Sequence, residues 1–310
     1  RAVQVCGIAD DITNTHKNTR RAATIMIWNT FQLLAVLALL VPSAPAFARG
    51  EVEESLPSGV VVGASYHPGR KQLPAVLILH GFLQTRDFPT VASTMDALTS
   101  GGYTVLAPTL SLGVSRRNKS LPCEALHLHT LEEDAEEIAF WVRWLMSKGH
   151  ARITLIGHSY GNMQLLAYLG RNPSPVVKQL LMISLTDVEA KQSAAQRARF
   201  AQTLRERVAR GDTGLAEVEF GHCRKYVSPP ASLLSYMSIS RQRILDAVAQ
   251  SPVPARAIMG SRDDRMGAGW IEHLQARGIA VSVIPGASHF FDNQFEFDLH
   301  EVVLQTVTGR

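Results

Sequence analysis

The stretch Arg152-Ile-Thr-Leu-Ile-Gly-His-Ser-Tyr-Gly-Asn162 constrains this chain most, because a β-branched and leucine run ends abruptly in Gly157-His158-Ser159-Tyr160-Gly161. It reads as a strand running into a G-x-S-x-G turn and then a helix. Such a turn forces the serine into a strained backbone conformation and holds its hydroxyl clear of the sheet. Glycines are needed at 157 and 161 because side chains there would collide with the neighbouring strand and helix. Ser159 is therefore a candidate nucleophile, and a base, an orienting acid and an oxyanion hole must come from elsewhere.

The flanking sequence predicts the frame that holds this turn. From Gly59 onward, buried-strand runs alternate with amphipathic helices, the signature of an α/β fold with a mostly parallel sheet. Strands are expected at 59–66, 74–80, 103–107 (stopped by Pro108), 152–156, 176–185, 255–259 and 279–284. Helices are expected at 90–100, from the Thr130-Leu-Glu-Glu133 capping box to Gly149, and at 162–169, 270–276 and 295–306. Residues 109–129 read as a long loop, polar and basic around Arg116, Arg117 and Lys119. Between Asp187 and Pro252 the strand signal disappears, so 187–252 is expected to be a helical insertion, with helices at 192–210 and around 238–249.

Three turns at the carboxyl ends of expected strands offer Ser, Asp and His in that order, where open α/β sheets place their sites. Ser159 follows one strand. Gly260-Ser-Arg-Asp263-Asp264 follows the expected strand 255–259, and Gly286-Ala-Ser-His289 the last one. A serine hydroxyl is a poor nucleophile at neutral pH, so His289 is the candidate base and Asp263 the carboxylate that orients it. Asp264 and Asp187 are the rival acids. The backbone N–H groups of Phe82, in Leu79-His80-Gly81-Phe82, and of Tyr160 are the candidate oxyanion donors, each worth on the order of 3 kcal/mol in the transition state.

These pieces resemble the α/β-hydrolase superfamily, from about Gly59 to Thr306, and most of all its serine esterase, lipase and acyl-peptide-type members. The resemblance implies an eight-stranded, mostly parallel sheet flanked by helices, with a helical cap inserted after the sixth strand. It also implies an acyl-enzyme mechanism with no cofactor. His-Gly-Phe in place of a His-Gly-Gly-Gly run argues against the hormone-sensitive-lipase-like esterases. Serine at the turn argues against the dehalogenase and dienelactone branches. The expected activity is hydrolysis of a small-molecule carboxylic ester. Acyl transfer by the same residues, and a non-catalytic binding protein on a hydrolase scaffold, are the alternatives.

The remaining features set bounds. Lys17, Arg20 and Arg21 precede an apolar run from Phe31 to Val41 and then Ala46-Phe47-Ala48, which reads as a secretory signal in a cleaved leader, residues 1–48, with Met26 as a candidate start. Eleven residues fall short of the roughly 20 that span a bilayer, so no stable membrane anchor is expected once the leader is removed. The mature domain is then 49–310, secreted or periplasmic. Cys6 leaves with the leader, and Cys123 and Cys223 become either a disulfide or two buried thiols. Formal charge is +4, of which +2 lies before residue 49, too little to argue for nucleic acid. No metal is expected: His127 and His129 have no nearby carboxylate pair, and His222, beside Cys223, reads as structural, as do His80 and His158. The arginines of 192–210 read as a solvated helix face, with the alternative that one of them holds an anionic substrate.

Overall fold

A computed structural model describes residues 50–171 and 173–308. The expected leader, its cleavage after Ala48 and Cys6 lie outside the described residues. Strand β3 (Ala75–Leu79) has no exposed residue, because it lies in the middle of a sheet covered on both faces. Around it, in chain order, run β1 (Gly50–Ser55), β2 (Val61–His67), α1 (Pro89–Ser100), β4 (Thr104–Thr109), α2 (Leu131–Ser147), β5 (Ile153–His158), α3 (Gly161–Leu169) and β6 (Val177–Ile183). An insert follows: α4 (Ala194–Ala209), β7 (Ala216–Phe220), β8 (Cys223–Ser228), α5 (Pro230–Met237) and α6 (Arg241–Ala249). The sheet then resumes with β9 (Ala255–Gly260), α7 (Trp270–Ala276), β10 (Ala280–Ile284) and α8 (Phe295–Thr308).

The eight-stranded sheet has the order β1-β2-β4-β3-β5-β6-β9-β10. Only the β1–β2 and β2–β4 pairs are antiparallel. Strand β3 is followed by β4 on one side and has β5 on the other, so the chain changes direction across the sheet at β3 and β5. Ligand crevices form at that switch point, outside the carboxyl ends of the strands. Side chains alternate between two cores. Leu77 and Leu155 meet Ile138 and Trp141 of α2 and Leu165 of α3 on one face. Val76, Ile78 and Ile156 meet Leu98 of α1 and Leu299 and Val303 of α8 on the other. Among the described residues no helix is long and apolar enough to cross a membrane.

Several expectations need correction. The edge strand β1 has no apolar alternation to reveal it: Glu51 and Glu54 are held by Ser65 and Trp144 side chains rather than by a core. Strand β4 runs through Pro108 because its ladder to β3 has already ended at Leu106 and only β2 lies opposite the proline. The 187–252 insert is not purely helical. Ala216-Glu-Val-Glu-Phe220 alternates with strand period and pairs antiparallel with β8 through the two-residue turn Gly221-His222. Helix α5, which starts on Pro230, has no counterpart among the expected helices.

The loop between β4 and α2 is stitched to this insert. Cys123 and Cys223 form a disulfide with Cα atoms 5.3 Å apart, Ser228 Oγ donates to the His127 carbonyl at 2.7 Å, and Ser232 Oγ to that of Leu128 at 2.6 Å. The bond closes a loop of 100 residues, so the unfolded chain loses much conformational freedom by it. The double change Cys123→Ser/Cys223→Ser is expected to cost about 2–4 kcal/mol, read from denaturant melts against the oxidised protein. A melt unchanged by the double substitution would contradict this.

The capping box forms as expected, with Thr130 Oγ1 accepting from the Glu133 N–H at 3.2 Å. One turn further, Glu137 is buried and accepts from the Ser111 N–H at 2.9 Å and its hydroxyl at 2.6 Å. Burial pushes its carboxyl up from 4.5 to about 7, against the pull of the Ser111 hydrogen bonds. The folded state thus holds this proton more tightly than the unfolded chain. That contribution is full below pH about 4.5 and is lost as pH rises through about 7, a fall on the order of 3 kcal/mol. Glu137→Gln should flatten this segment of the stability–pH curve, measured by denaturant unfolding between those limits.

Candidate active site

Ser159 follows β5 with φ +56°, in the left-handed region that a non-glycine residue rarely adopts. Its N–H donates to the Ile183 carbonyl at 2.9 Å, and Asn162 Nδ2 donates to the same oxygen at 2.9 Å. The flanking glycines are required. A Cβ on Gly157 would stand 2.5 Å from Asn162 Oδ1, and one on Gly161 would stand 2.5 Å from the His80 carbonyl oxygen. Strand, turn and helix can close this tightly only without those side chains.

Ser159 Oγ lies 2.8 Å from Nε2 of His289, whose Nδ1 lies 2.7 Å from Asp263 Oδ2. All three are at least nine-tenths buried. They meet because two turns interlock. The Arg262 N–H donates to the Ala287 carbonyl at 2.9 Å, and a Cβ on Gly260 would be 2.4 Å from that oxygen. Asp263 Oδ1 accepts from the Arg265 N–H at 2.8 Å, which fixes the carboxylate plane. The His289 carbonyl accepts from Ser184 Oγ at 2.8 Å and from His158 Nε2 at 3.2 Å. Burial, with the His289 imidazole beside it, pushes His158 down to about 3, so it donates as a neutral ring.

The rival acids are engaged elsewhere. Asp187 takes both Nε and Nη2 of Arg241, at 3.0 and 2.6 Å, and also the N–H groups of Glu189 and Gly267. The Asp264 side chain is 86% exposed, 4.0 Å from Arg265.

Among the described residues, no hydrogen bond uses the backbone N–H of Phe82 or of Tyr160. The turn that carries Phe82 is anchored by a residue that the sequence does not disclose. Arg117 is buried and donates to the carbonyls of Leu110 at 2.6 Å, Gln84 at 2.8 Å and Lys119 at 3.0 Å. Its Nη2 is 3.1 Å from His80 Nε2, which also accepts from the Leu110 N–H at 3.0 Å. His80 is neutral here: burial, with Arg117 beside it, pushes it down to about 3, and its Nδ1 donates to the Gly81 carbonyl at 2.8 Å. An arginine in a polar loop gives no sequence signal that separates this role from a solvated one.

A cavity of about 320 Å³ opens beside Ser159. The sheet turns contribute Phe82, Tyr160, Thr186 and Arg265, and the insert most of the rest. Thr186, which carries no motif, places its hydroxyl 3.2 Å from Ser159 Oγ. Phe82 packs against the Tyr160 and Phe220 rings at 5.1 and 5.4 Å, and Gly221, at φ +62°, lets the β7–β8 turn sit on the Phe82 ring, where a Cβ would be 2.9 Å away. Cys123, His222 and Cys223 group their ligand atoms within 4.8 Å, but both sulfurs are spent in the disulfide and neither is a thiolate. His127 stacks on Tyr226, and His129 pairs with Asp134 at 3.1 Å.

A profile of the alpha/beta hydrolase family matches residues 76–303. No curated protein sequence matches the chain. Among solved structures, alpha/beta hydrolase GrgF from Penicillium sp. sh18 is similar, with TM-score 0.62 at 14% identity over 84% of this chain and 97% of that one. Est1E from Butyrivibrio proteoclasticus with ferulic acid bound gives TM-score 0.59 at 18% identity, over 81% and 97%. Monoacylglycerol lipase of Paleococcus ferrophilus gives 0.59 at 13%, over 80% and 98%. At these identities the likeness is one of fold.

Proposed function

This chain belongs to the alpha/beta hydrolase family, and on that premise we propose that it is a serine hydrolase cleaving carboxylic esters through an acyl-enzyme intermediate. The observation that carries the proposal is the buried file of Ser159, His289 and Asp263, with contacts of 2.8 and 2.7 Å. In the reaction, neutral His289 Nε2 takes the Ser159 proton as Oγ bonds to the ester carbonyl carbon. Asp263 holds the ring in the Nδ1–H tautomer and stabilises the imidazolium. The Phe82 and Tyr160 N–H groups receive the developing oxyanion. Collapse expels the alcohol, protonated by His289; water, giving a proton to His289, then attacks the acyl carbon, and collapse releases the acid and returns that proton to Ser159 Oγ.

The names of the structural neighbours, a monoacylglycerol lipase among them, agree with ester chemistry. The disulfide agrees with an oxidising compartment and so with export behind the 1–48 leader. A fluorophosphonate probe should label Ser159 stoichiometrically, located by mass spectrometry of peptides, and block turnover of p-nitrophenyl esters. An unlabelled Ser159 in folded protein would refute the proposal.

A further inference from the structure

Arg197 departs from the solvated helix face expected of the arginines in 192–210. Arg199 and Arg205 of α4, and Arg210 just past its end, are exposed, whereas Arg197 is 6% exposed and lines the cavity beside Ser159. Its Nη2 donates to the Ile239 carbonyl at 2.8 Å, while its buried Nε has no hydrogen-bond partner. Among the described residues it forms no ion pair. A guanidinium taken out of water without a counter-charge is costly, and one left with an unused donor more so. A simple tether between α4 and the Ile239 segment would need neither the charge nor the free Nε.

Most of the other charges that line the cavity have the same sign. Lys191, Arg224 and Arg265 also line it. Of its two carboxylates, Asp187 is consumed by Arg241, and Glu219 stands exposed with no ion pair among the described residues. Phe82, Tyr160 and Phe220 line it too and offer apolar wall for a short carbon chain.

We propose that this cavity takes esters carrying a carboxylate, a half-ester of a dicarboxylic acid being the simplest, with Arg197 as the group that binds the free carboxylate. The inference deepens the serine-hydrolase reading and rests on it for the reaction. The binding step can be tested without the chemistry.

Calorimetric titration of the whole protein with adipamate, the half-amide of adipic acid, and with neutral adipamide reads the anion preference directly. Adipamate should bind about tenfold tighter or more, as expected for a charge-assisted pair in a confined site. Arg197→Gln should erase the difference. Arg197→Lys should restore part of it, which a merely structural role would not do, and Arg205→Gln, on the exposed face of the same helix, should leave it unchanged. The kcat/KM ratio of p-nitrophenyl hydrogen adipate to p-nitrophenyl methyl adipate should follow the same order. Equal binding of the two amides, or a preference that survives in Arg197→Gln, overturns the inference. Fluorophosphonate labelling separates the two claims. Labelling of Ser159 without anion preference sinks this one alone, and anion preference without labelling upholds the site while sinking the hydrolase reading.

Discussion

Ser159→Ala should lower ester turnover by about 10⁴-fold or more while leaving the fold in place, because the nucleophile, base and acid act as a unit and loss of the first removes covalent catalysis altogether. Circular dichroism and unfolding midpoint should stay near wild type. The substitution removes only the hydrogen bonds of Oγ to His289 and Thr186, and the backbone at φ +56° is equally strained with either residue. What activity remains would come from the oxyanion donors and binding alone. Turnover within tenfold of wild type would place the nucleophile elsewhere.

Asp263→Asn should lower kcat by about 10³–10⁴-fold, because an amide in place of Oδ2 either turns the imidazole into the wrong tautomer or leaves Nδ1 without its acceptor. The same change at the two rival positions gives the control. Asp264→Asn should leave rate and stability nearly unchanged, since its side chain is solvated. Asp187→Asn should act on stability, because it breaks the two-pronged pair with Arg241 that ties the start of the insert to its last helix. A rate loss at Asp187 or Asp264 as large as that at Asp263 would reassign the acid.

The sheet and its turns are legible in the sequence because their signals are local. Apolar runs such as Ala75–Leu79 have no competing reading. The glycines at 157, 161 and 260 stand where other residues would strike carbonyl or amide oxygens within about 2.5 Å. What sequence cannot decide is which acid meets the imidazole: Asp263 and Asp264 are adjacent, and only the turn geometry turns one inward. Nor can it show that Arg117 and Arg197 are buried, since their partners are carbonyls up to 42 residues away, which carry no sequence signature. The hairpin β7–β8 is legible in principle. Its alternation of Ala216, Val218 and Phe220 with glutamates is only five residues long and is outweighed by the helical segments around it.

The pairing of β6 with β9 has a consequence for how such a protein diversifies. Leu180 lies beside Ala255 in the sheet, so the insert leaves and re-enters the sheet through neighbouring strands. A segment whose ends are already adjacent is exchangeable as a cassette, because replacing it makes no demand on the strands that carry it. Here the exchange is not free. Residues 110–130 are sewn to the insert through Cys123 and through the carbonyls of His127 and Leu128. Selectivity is therefore inherited as two distant pieces of chain, and a graft that moves one without the other should carry the chemistry across but not the pocket.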